Sequence, residues 1–208
     1  FESLSYSVEV FGQKSYNGVA NITKNGSTQT SKGISGLVDP QTRVISTTHK
    51  DVRVVNVYVP NGQAVGSEKF DYKLSWLKHL KKMLKDDLKK HPKMVVLGDF
   101  NIAPSDQDVH DPEKWKDKIL CSAQERTMFE EILSLGFKDS FRLFEKEAGF
   151  HSWWDYRTAA YTKELGLRID LLLISNELVP LCKKSYIDEK PRWLERPSDH
   201  TPVVVELS

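Results

Sequence analysis

The sequence has only two cysteines in 208 residues, Cys121 and Cys182, and they stand far apart. That excludes a disulfide-framework fold and favours a reduced compartment, the cytoplasm, as its location. No apolar run nears the roughly 18 residues needed to span a membrane. Charge of one sign is also lacking: 30 Lys and Arg stand against 29 Asp and Glu, for a net charge of +1. Such a balance does not announce a nucleic-acid binder, so a polyanionic partner must be met by a local patch. Zinc-type Cys/His spacing, a P-loop, a G-x-G-x-x-G fingerprint and a G-x-S-x-G nucleophile elbow are absent as well. No start methionine, signal or transit sequence precedes Phe1. No repeat, low-complexity tract or Pro/Gly/Ser-rich linker divides the chain, so residues 1–208 read as one domain.

What is present is an ordinary globular mixture, 39% hydrophobic and 28% charged. At this length one fold removes roughly 70% of the unfolded surface from water. Tyr6–Phe11 and Gly18–Thr23 read as strands around a turn at Tyr16-Asn17-Gly18. Asn25–Gly36 is polar and Gly/Ser-rich, and reads as a loop. Arg43–Thr48 and Val52–Val59 read as an antiparallel pair, and the valine run of the second suits a strand buried on both faces. Phe70, Leu74, Leu77, Leu80, Leu84 and Leu88 draw one apolar stripe, which predicts a helix capped by Ser67 and stopped by Pro92. Lys93–Leu97 reads as a short buried strand. Ser122-Ala-Gln-Glu125 is a capping box opening a helix that Gly136 closes. Arg168–Ser175 and Pro202–Leu207 read as further strands. Mixed strands interrupted by helices fit an α/β or α+β layered sandwich.

Polar residues stand where apolar strands end, which is where open α/β sheets hold ligands. Tyr58 and Asn61 close the valine strand, Asp99 and Asn101 close the next, and Asp199 with His200 precedes the last. Asp99 and Asn101 read either as turn formers or as two oxygen donors facing one cleft, suited to Mg²⁺ or Mn²⁺. Asp170 lies among leucines and isoleucines, where an unpartnered carboxylate is costly. Arg168 is one candidate partner. His200 is the other, and a carboxylate there would fix one imidazole tautomer. His49, His79, His91, His110 and His151 read as structural. Trp153-Trp-Asp-Tyr-Arg157 reads as a core plug or as a stacking surface for a sugar or base with Arg157 on phosphate. The seven lysines from Lys78 to Lys93 read as the solvated face of an amphipathic helix. Metal-assisted hydrolysis of a phosphate ester is the chemistry left by these exclusions.

Six segments in order carry a resemblance: Gly12–Ala20, Asn56–Gly62, Gly98–Asp108, Ser152–Arg157, Leu167–Leu173 and Pro197–Val203. Together they resemble the exonuclease III branch of the apurinic/apyrimidinic endonucleases, within the endonuclease/exonuclease/phosphatase superfamily. Gly98-Asp-Phe-Asn101 and Ser198-Asp-His200 mark the superfamily; Trp153-Trp-Asp-Tyr-Arg157 and Leu167-Arg-Ile-Asp170 mark the branch. The resemblance implies an α/β, four-layer αββα sandwich of the DNase I-like kind, two mixed sheets face to face with helices outside. It implies Mg²⁺-dependent hydrolysis of DNA phosphodiesters (Mn²⁺ as the alternative metal): nicking 5′ of abasic sites, 3′ to 5′ digestion and trimming of blocked 3′ ends. The implied partner is double-stranded DNA, acted on by a monomer of bacterial, nucleoid-associated type with no membrane role.

By the same resemblance Asp99 orients or deprotonates the attacking water, Asn101 holds phosphate or metal, and Tyr58 contacts phosphate or leaving group. Asp170 pairs with His200, which donates to the scissile phosphate. Asp99, Asn101 and Asp199 are the implied metal ligands. Trp153, Leu167 and Ile169 line the pocket for a flipped abasic sugar, with Asn61, Arg157 and Arg168 on DNA. The family's N-terminal strand-helix-strand, with a site Asn and a metal-binding Glu, has no counterpart after Phe1, and typical element lengths put the difference at about 40–50 residues. Two alternatives stay open: a DNA-binding chain impaired in cutting, and a superfamily phosphoesterase acting on RNA or small phosphoesters.

Overall fold

The computed structural model describes residues 2–208. Its centre is a six-stranded mixed sheet of order β3-β4-β5-β6-β8-β7, built from β3 (Thr28–Lys32), β4 (Val44–His49), β5 (Val52–Tyr58), β6 (Met94–Asp99), β7 (Phe137–Asp139) and β8 (Asp170–Ser175). Only β5 and β6 pair in parallel, because α1 (Glu68–Leu88) carries the chain back between them. The register sets Tyr58 beside Asp99 across β5 and β6, and Asp99 opposite Asp170 across β6 and β8.

The helices cover one face of this sheet. α1 turns Trp76, Leu77, Leu80 and Leu84 onto Val55, Val57, Met94 and Val96, and α3 (Ala123–Leu133) adds Phe129 and Ile132. Ser67 caps α1 by accepting from the Phe70 N–H at 3.2 Å, and the Ser122–Glu125 box caps α3. α1 ends at Leu88, and the N–H groups of Lys90 and His91 satisfy the Asp87 carbonyl before Pro92. The opposite face carries two antiparallel pairs, β1 (Tyr6–Gly12) with β2 (Gly18–Lys24), and β9 (Cys182–Ile187) with β10 (Val203–Leu207). The first is tied down by Asn21 on Thr47 (2.9 Å) and Asn56 on the Ala20 carbonyl (3.0 Å). The second packs Val203, Val205 and Leu207 against Val95, Leu97 and Leu172. The α2 (Pro112–Trp115) and α4 (Phe141–Phe144) helices are single turns at the rim. No helix is long and apolar enough to cross a membrane.

This is the expected α/β sandwich with a mixed sheet and outer helices. The second sheet layer is present among the described residues as two separate pairs. Three local expectations change. Asn25–Gly36 contains β3, an edge strand whose five residues are all exposed, so no alternation of burial marks it in sequence. The valine strand is buried on its helix face, while Val52, Val54, Asn56 and Tyr58 on the other are half-buried, because the β1–β2 pair covers that side incompletely. β7 and β9 are too short or too polar to stand out by pattern.

Candidate active site

The site lies on the sheet face away from the helices, at the ends of β5 and β6 and the start of β8. Gly98 makes the approach possible. Its φ is +130°, and a Cβ there would stand 2.0 Å from the Val57 carbonyl oxygen. The chain then turns through Asn101, whose φ of 49° is left-handed. That turn folds Asn101 back on Asp99: the Asn101 N–H donates to Asp99 Oδ1 at 2.8 Å, and its amide Nδ2 donates to Asp99 Oδ2 at 2.9 Å and to the Val59 carbonyl at 3.0 Å. Asn61 Nδ2 in turn donates to Asn101 Oδ1 at 3.0 Å.

Asp170 is partnered by His200, not by Arg168. His200 Nδ1 is 2.8 Å from Asp170 Oδ2 and 3.1 Å from Oδ1. Ser152 completes the arrangement: its hydroxyl donates to Asp170 Oδ2 at 2.7 Å and accepts from the N–H groups of Ile169 and Asp170. Residues 152–154 act as a clip. Trp153 bridges to both Leu167 and His200 in antiparallel fashion, and Thr201 N–H donates to the Ser152 carbonyl at 2.8 Å. The Asp199–His200 turn is thereby pinned beside β8. Trp153 Nε1 donates to Asp199 Oδ2 at 3.1 Å, and the Trp153 and His200 rings lie 6.4 Å apart.

The electrostatics follow from this crowding. Burial and the facing Asp170 carboxylate push the Asp99 carboxyl up from 3.8 to about 7, against the pull of His200, the Asn101 N–H and Lys73. Burial alone would lower His200, but the hydrogen bond and charge of Asp170, with Asp99 and Asp199 behind, raise it from 6.5 to about 9. The site thus holds an acid that ionises near neutrality beside an imidazolium. The His200 side chain keeps 31% of its surface exposed, and with Nδ1 on Asp170 its Nε2 is the free donor.

Sequence reasoning brought Tyr58, Asn61, Asp99, Asn101, Trp153, Asp170, Asp199 and His200 to one end of the sheet, and the structure gathers them there. Tyr58 is half-buried, with the Arg43 guanidinium 4.6 Å over its ring and donating to its carbonyl at 3.0 Å. Arg168, expected on DNA, and Leu167 and Ile169, expected in the sugar pocket, are placed otherwise. Arg168 is 1% exposed, because its Nε reaches Asp108 and its Nη2 reaches Asp139, both at 2.6 Å, and the same Asp108 oxygen takes Arg142 at 2.6 Å. Leu167 and Ile169, at 0% and 2% exposure, belong to the core with Ala103, Val109, Leu120 and Cys121. They support Trp153 from below, and only Trp153 of the three reaches the surface. Arg157 is solvent-facing, paired with Asp155 at 3.0 Å on a short turn.

Two contributors were missed. Ser152 has no distinguishing pattern in sequence. Lys73, which nothing in the sequence sets apart, is fully buried. Its Nζ donates to the Asn61 carbonyl at 3.1 Å, to the Asn101 carbonyl at 2.7 Å and to Glu125 Oε1. Burial pushes its ammonium down, with the Glu125 carboxylate opposing. The signal available was the capping box itself, whose Glu125 takes up a buried partner as well as the cap.

Residues 4–200 match the endonuclease/exonuclease/phosphatase family model. The chain is 33% identical over 219 residues to exodeoxyribonuclease III of Haemophilus influenzae, covering 99% of this chain and 82% of that protein. It is similar, at 44% identity and a TM-score of 0.98, to the structure of a Neisseria 3′ phosphatase bound to product DNA hairpin, covering 100% of this chain and 81% of that one. An AP endonuclease from Archaeoglobus fulgidus superposes with a TM-score of 0.94 at 34% identity, covering 99% and 80%. The chain belongs to the endonuclease/exonuclease/phosphatase family.

Proposed function

We propose that the protein is a DNA-repair nuclease that hydrolyses DNA phosphodiesters 5′ of abasic sites and processes 3′ ends, acting as a monomer on double-stranded DNA. The observation that carries this is the Asp99–Asp170–His200 arrangement, in which one carboxyl is tuned near neutrality and an imidazolium stands beside it. A general base works best with a pKa near the working pH. Asp99 suits that role: it takes a proton from water as the oxygen attacks phosphorus. His200, charged and fixed by Asp170, stabilises the added negative charge on phosphate and supplies the proton as the bond to the 3′ oxygen breaks. Tyr58 and Asn61 lie beside this point and suit contacts to the phosphate oxygens, while Asn101, its amide hydrogens spent on Asp99 and the Val59 carbonyl, orients the general base. Trp153 offers the aromatic wall for an extruded abasic sugar, and an unpaired nucleotide costs less to extrude than a paired one.

The family uses divalent metal ions, and Mg²⁺, with Mn²⁺ as the alternative, is part of the proposal. The expected ligands Asp99, Asn101 and Asp199 do not close into a shell. Both Asp99 oxygens accept from Asn101, the Asn101 oxygen accepts from Asn61, and Asp199 is drawn to Trp153. Among the described residues no three His, Cys, Asp or Glu side chains gather as an ion site.

The test is a duplex carrying one abasic site and a second ending in a 3′ phosphate, each incubated with the intact protein and Mg²⁺. Incision at the first and phosphate release from the second are expected. Equal or greater rates on RNA or on small phosphoesters would assign the site to another substrate.

A further inference from the structure

Beside the Asp99–Asp170–His200 group lies a buried ion pair of Lys73 on α1 and Glu125 on α3, both side chains 0% exposed. A buried pair is weak evidence of stabilisation, since desolvation offsets most of the attraction and apolar residues of similar volume often replace it at no cost. Its geometry points elsewhere. An ammonium has three donors, and Lys73 spends one on Glu125 and the other two on the carbonyls of Asn61 and Asn101. Those two residues end different connections, one after β5 and one after β6, and their side chains are bonded to each other. Asn101 then fixes both oxygens of Asp99. Its left-handed turn aims that carbonyl at the ammonium. Glu125 holds the ammonium in place from a rigid seat: Oε1 also accepts from Leu120 N–H, and Oε2 accepts from the Ser122 N–H and hydroxyl. The helix N-terminus of α3 is thereby connected to the carboxylate at the end of β6.

We infer that Lys73, anchored by Glu125, is a positioning residue that locks the Asn61 and Asn101 turns together and so sets the orientation of the Asp99 carboxylate. This rests on the nuclease reading of the site. A geometric role predicts a loss in kcat greater than any change in KM, because the DNA-facing surface is untouched while the reacting geometry loosens.

The test compares four forms of the intact protein on the abasic duplex: wild type, Lys73→Met, the charge-neutral double variant Lys73→Met with Glu125→Gln, and Lys81→Met. The last removes the partly exposed α1–α3 pair of Lys81 with Glu131 (2.6 Å) and controls for loss of a helix-to-helix contact. Circular dichroism and thermal melting establish which forms fold. The expected result is a folded double variant whose kcat falls at least about tenfold while KM moves less than about threefold, with Lys81→Met near wild type. A folded double variant with wild-type kcat overturns the inference. So does a double variant that cannot fold, since the pair would then serve the fold and not the site. A wild-type protein that does not cut the duplex overturns the nuclease reading first, and the inference with it.

Discussion

Asp99 and Asp170 stand directly opposite one another across β6 and β8. Like charges in that register repel, and a chain selected for stability alone would not keep them there. The Asp99 carboxyl is raised to about 7 by its burial first and by that repulsion second. Its counterpart is His200, raised to about 9 by the same carboxylates. Acid and imidazolium are thus set apart from their ordinary values in opposite functional senses by one cross-strand pair.

Replacing Asp99 with Asn keeps the size and removes the repulsion, while giving up one of the two hydrogen bonds accepted from Asn101. We expect Asp99→Asn to be more stable than wild type by about 1 kcal/mol, as is common when a strained functional group is neutralised. DNA cutting should drop by about 10³-fold or more in the same variant. Urea unfolding and incision assays on one preparation check both halves; a variant that is less stable and still active would contradict the assignment.

Stability should fall as pH rises. Asp99 goes from 3.8 to about 7 and His200 from 6.5 to about 9, so both bind a proton more tightly in the folded chain. The His200 contribution is whole below its unfolded value of 6.5 and is lost as pH climbs through about 9. The Asp99 carboxylate adds a cost that grows up to about 7. The urea midpoint should therefore decline from about pH 6 to about pH 9.5, and His200→Gln should flatten the upper part of that decline. A midpoint that rises over this range would be the wrong sign.

Arg168 separates a DNA contact from a structural one. Arg168→Met leaves Asp139 without its buried counter-charge and Asp108 with Arg142 alone, and a loss of about 3 kcal/mol in folding stability is expected. A phosphate contact would behave differently: stability would be kept, and DNA affinity would weaken with a shallower salt dependence. Denaturation curves and a salt titration of binding distinguish the two.

Gly98→Ala tests the backbone under the site. With φ at +130° and the Val57 oxygen 2.0 Å from the added methyl, the strand must shift. A destabilisation of about 2–4 kcal/mol is expected, together with loss of cutting, since Asp99 is the next residue.

Much of this was readable in the chain. The stripe on α1, the Ser122–Glu125 box and the strand ending at Asp99 follow from periodicity and capping, because each is a local pattern with a local cause. Asp170 announced itself as a carboxylate among leucines, and the need for a partner led to His200, which it has. What stayed hidden depends on distance in three dimensions. β3 buries nothing and so leaves no trace. Arg168 reads as a surface cation until Asp108 and Asp139, distant in sequence, close around it. Lys73 looks like its solvated neighbours along α1, and only the arrival of the Asn61 and Asn101 carbonyls gives it a different task.

The most direct measurement is the single-turnover incision rate of the intact protein with Mg²⁺ on a duplex bearing one abasic site, for wild type, Asp99→Asn and His200→Gln. Wild type should cut 5′ of the site, with Asp99→Asn slower by about 10³-fold or more and His200→Gln by about 10²-fold or more, both still folded and still able to bind the duplex. Wild type that leaves the duplex intact, or variants that cut it as fast as wild type, would contradict the central claim that the Asp99–Asp170–His200 group performs the hydrolysis.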